Sequence, residues 1–87
     1  MKVLMKSVDM ICLSSCEGEI RPLKFRIRED AGEPRIVKID RIISKKEEKI
    51  AGNRMLVFTV QSVMDGVERI YEMKYEVHTS RWYLYKL

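Results

Sequence analysis

The sequence predicts an all-β fold: about six antiparallel strands in a meander, curled into a small barrel or a strongly bent half-barrel, with at most one short helical segment. Three observations predict it. Asp65-Gly66 is a two-residue hairpin signal between two apolar runs, because a type I′ turn needs positive φ at both central positions. Apolar and polar residues alternate along most of the chain, the period of a half-buried strand. The connections are short, and a sheet of six twisted strands curls or closes, since an open edge invites aggregation.

The elements follow in order. Residues 3–13 form an extended candidate that ends in the turn-like Ser14-Ser15-Cys16-Glu17-Gly18. Leu23, Phe25 and Ile27 alternate with Lys24, Arg26 and Arg28, a strand with one apolar and one basic face. Residues 29–34 are a polar loop with Gly32 and Pro34. Residues 36–43 are rich in β-branched side chains, but the apolar parity changes: Val37 goes with Ile39, and Ile36 with Ile42. That pattern predicts a bulge or a strand buried on both faces. Residues 44–53 read two ways. Ser44 with Glu47 fits a capping box and Gly52 a helix stop; alternatively the segment is an extended hairpin with Gly52-Asn53 at its tip.

The Asp65-Gly66 turn sets Met64 opposite Val67 and thereby a whole register. Val60 meets Tyr71, Phe58 meets Met73 and Leu56 meets Tyr75 on one face. Val57 meets Lys74, Thr59 meets Glu72 and Met55 meets Glu76 on the other. A slip of one residue would put the apolar partners on opposite faces, so turn chemistry and hydrophobic alternation agree. A second two-residue turn at Thr79-Ser80 would set Val77 opposite Trp82 and Tyr75 opposite Leu84. Thr-Ser is a poor primed turn, and a longer loop there would keep the same face.

An 87-residue chain is expected to form a single domain, residues 1–87, with a modest core. The formal charge is +4, and residues 1–28 alone carry +3; the excess centres on Arg21, Lys24, Arg26 and Arg28. Two cysteines, Cys12 and Cys16, would stand about 13 Å apart on one strand, too far for a disulfide. Buried, reduced thiols in a cytoplasmic protein are the expectation. Leu13-Ser14-Ser15-Cys16 looks like a lipobox, yet Asp9 interrupts the nine residues between Lys6 and Cys16, where an export signal needs a continuous apolar core. No segment is long enough to span a membrane.

Chemistry is sparse. The four glycines, at 18, 32, 52 and 66, make no phosphate loop. His78 falls at a turn, where a solvated histidine is the expectation, and zinc would lack a fourth ligand. Glu68, Glu72 and Glu76 share a strand face with Lys74, the composition of a solvated face. No catalytic, metal or cofactor site is therefore expected. Two surfaces are. Met55, Val57, Tyr83, Tyr85 and Leu87 fall on the nominally polar face of the last three strands, and form a candidate contact for a protein partner or a second copy of the chain. Lys24, Arg26 and Arg28, with the tyrosines, form a candidate nucleic-acid contact, since cations beside aromatic rings suit phosphate contact with base stacking.

Ile20-Arg21-Pro22-Leu23-Lys24-Phe25, Ala51-Gly52-Asn53-Arg54, Asp65-Gly66-Val67-Glu68-Arg69 and Arg81-Trp82-Tyr83-Leu84-Tyr85 together resemble small uncharacterised β-rich proteins of Gram-positive bacteria. The shared elements are turns, a proline entry and a tryptophan anchor. The resemblance implies a β fold and carries over no functional residue.

Overall fold

Seven strands account for nearly all regular structure: β1 (Val3–Ser14), β2 (Ile20–Ile27), β3 (Arg35–Lys38), β4 (Arg41–Ile50), β5 (Asn53–Met64), β6 (Val67–Glu76) and β7 (Arg81–Lys86). The computed structural model describes residues 1–28 and 32–87; residues 29–31 of the expected polar loop lie outside them. The strands form one antiparallel sheet in the order β3-β2-β1-β7-β6-β5-β4, strongly curled into a half-barrel. Its two end strands are consecutive in sequence. Ile39 N–H donates to the Leu23 carbonyl on one side (2.9 Å) and Asp40 N–H to the Gln61 carbonyl on the other (2.8 Å). The run from 35 to 50 thus leaves one neighbour and joins another within two residues. That switch is why there are seven strands where the sequence suggests six.

The β5–β6 hairpin has the expected register at every pair from Met55↔Glu76 to Met64↔Val67. Asp65 and Gly66 have φ of 52° and 76°, the left-handed pair that a type I′ turn requires. The even-numbered residues of β5 therefore face inward. Phe58, Val60, Tyr71, Met73 and Leu84 are almost completely buried, with Phe25, Val37 and Trp82 closing round them. Trp82 lies against Phe58 and Tyr75, with ring centroids at 5.4 and 4.8 Å. The Tyr71 hydroxyl and Ser62 Oγ, both in the interior, share a hydrogen bond of 2.6 Å.

Of the two readings of residues 44–53 the extended hairpin holds: residues 44–50 are strand, since the exposed apolar edge of β5 needs a partner and pairing there outweighs the local capping signal. Several expectations are corrected. The hairpin tip is Ala51-Gly52, with Ile50 opposite Asn53, one residue earlier than Gly52-Asn53. The parity change in 36–43 comes from the switch at Ile39-Asp40 and a register shift between Ile42 and Ser44, so the bulge reading holds. The loop between β6 and β7 spans residues 77–80, not Thr79-Ser80 alone. Tyr75 therefore meets Trp82 and Met73 meets Leu84, a two-residue shift that keeps the face, as even shifts must. Leu23 is exposed, because a register shift between Ile11 and Cys12 leaves it without a partner and turns Pro22 inward. Cys12 and Cys16 are free, and both are exposed rather than buried. Among the described residues no helix is long and apolar enough to cross a membrane.

Candidate binding face

The outer surface of the half-barrel divides into two regions. On β4 to β7 the outward positions include Glu48, Met55, Val57, Lys74, Tyr83 and Tyr85. The Lys74 ammonium donates to Glu48 Oε1 at 3.0 Å, and since Lys74 is on β6 and Glu48 on β4, the pair passes over β5. Beneath it Val57 is 2 % exposed and Met55 7 %. The same ammonium stands 3.9 Å from the centroid of the Tyr85 ring, a cation–π contact. The neighbouring Glu76 accepts from Thr79 and Asn53, which hold its carboxyl below the usual range. Glu47, paired with Leu56 and so on the inner side of the sheet, accepts two hydrogen bonds from Arg54.

These placements correct the expected contact patch. Met55 and Val57 are covered by a charged roof, so they present no open apolar surface. Leu87 is on the opposite side of the sheet, packed against the core. The register shift between β6 and β7 pairs Glu72 with Lys86 and Met73 with Leu84, so Tyr85 is the extra residue and everything after it changes face. Of the five, Tyr83 and Tyr85 alone are both on the outer face and half-buried rather than covered.

The outward face of β1, β2 and β3 is different. Pairing places Ile11 beside Lys24 and Leu13 beside Arg21, and Lys38 beside Lys24 and Ile36 beside Arg26. Arg28 follows at the end of β2. Ile11 and Ile36 are 59 % and 64 % exposed, and Leu13 is exposed as well. Ile11 and Ile36 border a hollow of about 300 Å³ lined also by Asp9, Lys24 and Arg26. Among the described residues Asp9 is the one acid at an outward strand position of this face. Its Oδ2 accepts from Arg28 Nε at 2.8 Å and from Arg26 at 2.9 Å, and these two guanidinium groups, Arg28 first, hold its carboxyl below the usual range. Among the described residues, Arg21, Lys24 and Lys38 have no carboxylate at ion-pair distance.

Five cations and one carboxylate leave this face at +4, the formal charge of the entire chain. The other twelve basic residues are matched by twelve acidic ones. Lys24, Arg26 and Arg28 are brought together as the alternation predicts. Ile11, Leu13, Ile36, Lys38 and Asp9 are members that sequence reasoning missed. Their common face depends on which strands flank β2, and a single strand's alternation carries no such information.

The tyrosines do not complete the basic stripe. Tyr83 opposes Ser7 on β1, whose next outward neighbour is Asp9, so the one acid stands on that path. Tyr85 has Lys74 and Lys86 against its ring. His78 borders an open depression with Ala51, Asn53, Arg54 and Glu76, and neither cysteine lines it. Among the described residues no cluster of three or more His, Cys, Asp or Glu could hold a metal ion.

No protein-family model matches the chain, and no curated protein or solved structure matches it either.

Proposed function

We propose that this chain is a non-enzymatic binding module whose contact surface is the outward face of β1, β2 and β3, and whose partner is anionic. One observation carries the reading: all of the chain's excess charge is on this face, interleaved with three exposed aliphatic side chains. Elsewhere on the outer surface Lys74 is paired with Glu48 across β5. Unpaired like charges on two neighbouring strands repel one another, and an anionic partner relieves that repulsion. The same argument disfavours a twofold contact between two copies through this face, since a symmetric interface would set cations against cations.

Nucleic acid is the second reading, favoured by the same cations. It is weakened by the absence of aromatic side chains among the outward residues named on this face, because sequence-tolerant binding of single strands relies on stacking.

The test is titration of a fluorescent polyglutamate at two salt concentrations, against the wild type and a Lys24→Glu/Lys38→Glu variant. Binding that weakens with salt and is abolished in the variant is expected. Salt-insensitive binding, or equal binding by the variant, would rule the face out.

A further inference from the structure

Resting on that reading, we propose that the partner is an acidic polypeptide segment that seats an aliphatic side chain between Ile11 and Ile36 while its carboxylates meet Lys24, Lys38 and Arg21. Two features of the face select this class over other anions.

The first is the chemistry between the charges. Lys24 has Ile11 on one flank, on β1, and Lys38 on the other, on β3. Ile36 lies one outward position along β3 from Lys38. Cationic and aliphatic groups thus stand side by side at the spacing of neighbouring strands, about 5 Å. Phosphodiester backbones present charge and flat aromatic bases; this face offers charge and branched aliphatics. A polypeptide with acidic and apolar residues presents both complements at matching spacing.

The second feature is shape. Ile11 and Ile36 flank the hollow of about 300 Å³, which is lined also by Met10 and Phe25 and by the polar Asp9, Lys24 and Arg26. A hollow of that size accepts a side chain, whereas a bilayer surface is met by protruding groups. The large exposed side chains at the two sides then lose contact with water when the hollow is filled, and an apolar residue there strengthens binding beyond charge alone.

The experiment compares four probes on the full chain at two salt concentrations: a short acidic peptide containing two leucines, the same peptide with serines for the leucines, a single-stranded oligonucleotide of equal charge, and vesicles of phosphatidylserine with phosphatidylcholine. The leucine peptide is expected to bind about tenfold more tightly than the serine peptide, and more tightly than the oligonucleotide or the vesicles. An Ile11→Thr/Ile36→Thr variant retains β-branched side chains at exposed positions, so its fold is expected to survive. It should bind both peptides equally, with the salt dependence unchanged. Equal binding of the two peptides by the wild type, or preference for the oligonucleotide or vesicles, overturns the polypeptide assignment and leaves the anion-binding face intact. Failure of every probe to bind overturns both.

Discussion

The two halves of the outer surface carry similar ingredients and dispose of them in opposite ways. On β4 to β7, Val57 and Met55 stand among charged residues, and a cross-strand pair closes over them. On β1 to β3, Ile11, Leu13 and Ile36 also stand among charged residues, and nothing closes. The difference is not hydrophobicity but the sign of the neighbours. Lys74 has Glu48 two strands away and Tyr85 on the next strand. Lys24 has Lys38 beside it. A lysine stem can lie over an apolar neighbour with its ammonium in water; Lys74 is further held there by Glu48 and Tyr85, whereas Lys24, among the described residues, has no carboxylate to fix it. The coverage is local to Met55 and Val57: nearer the Asp65-Gly66 turn, Val63 and Ile70, also outward on β5 and β6, are exposed.

Cutting the roof is the most direct way to break this comparison, and the largest effect is expected there. Lys74→Ala uncovers Val57 and leaves the partly buried Glu48 carboxylate unpaired, which should destabilise the fold by about 2 kcal/mol. For a domain of this size that is roughly 8–16 °C in melting temperature. Lys74→Met retains the apolar stem and removes only the charge, so it separates coverage from pairing: a smaller loss than in Lys74→Ala assigns part of the effect to the stem. Lys24→Ala, on the open face, should change stability by no more than about 0.5 kcal/mol. Calorimetric melting of the three variants checks this. Equal losses at Lys74 and Lys24 would remove the distinction between the halves.

The interior beneath both faces sets the next largest effect. Tyr71 is fully buried with its hydroxyl on Ser62, and burial pushes its ionisation up to about 12. Tyr71→Phe leaves the Ser62 hydroxyl without a partner and should cost about 1–2 kcal/mol. Ser62→Ala added to it should recover part of that, because two apolar groups strand no donor. The alkaline limb of stability is a second readout. The folded state holds the phenolic proton above the unfolded value near 10, so this contribution is fully present below pH 10 and is lost as pH rises toward 12. Denaturant midpoints measured across that range should fall for the wild type and flatten in Tyr71→Phe.

What the sequence made legible follows the range of the forces involved. The β5–β6 register could be read because one turn and one alternation, both local, specify it together. The register of β7 could not, since the residues at 77–80 leave loop length open. The face of Leu87 was misread because a bulge at Tyr85 has no local signature; it arises where a twisted strand must pair with β1 and β6 at once. Lys24, Arg26 and Arg28 were visible as a stripe on one strand. That Ile11, Ile36 and Lys38 join them depends on β1 and β3 flanking β2, which is topology. Met55 and Val57 could be placed on the outer face by parity, yet their burial by Lys74 and Glu48 needs side chains two strands apart to meet.

The smallest expected effect on stability comes from the single acid on the open face, and it is the most discriminating for function. Asp9 binds both Arg26 and Arg28, which lowers its ionisation below the unfolded value. By linkage its small contribution is present above the unfolded carboxylate range and is lost as pH falls through the folded one. Asp9 is solvent-exposed, so screening keeps that contribution slight. Asp9→Asn should therefore melt close to the wild type, while releasing two guanidinium groups and raising the charge of the face by one. Binding of an acidic probe should tighten, and the steepness of its salt dependence should increase. The opposite outcome, weaker binding with an unchanged melt, would mean that Asp9 positions the two arginines for the ligand rather than competing with it. Titration at two salt concentrations tells the two apart, since a positioning role lowers affinity at both while a competing role raises it most at the lower.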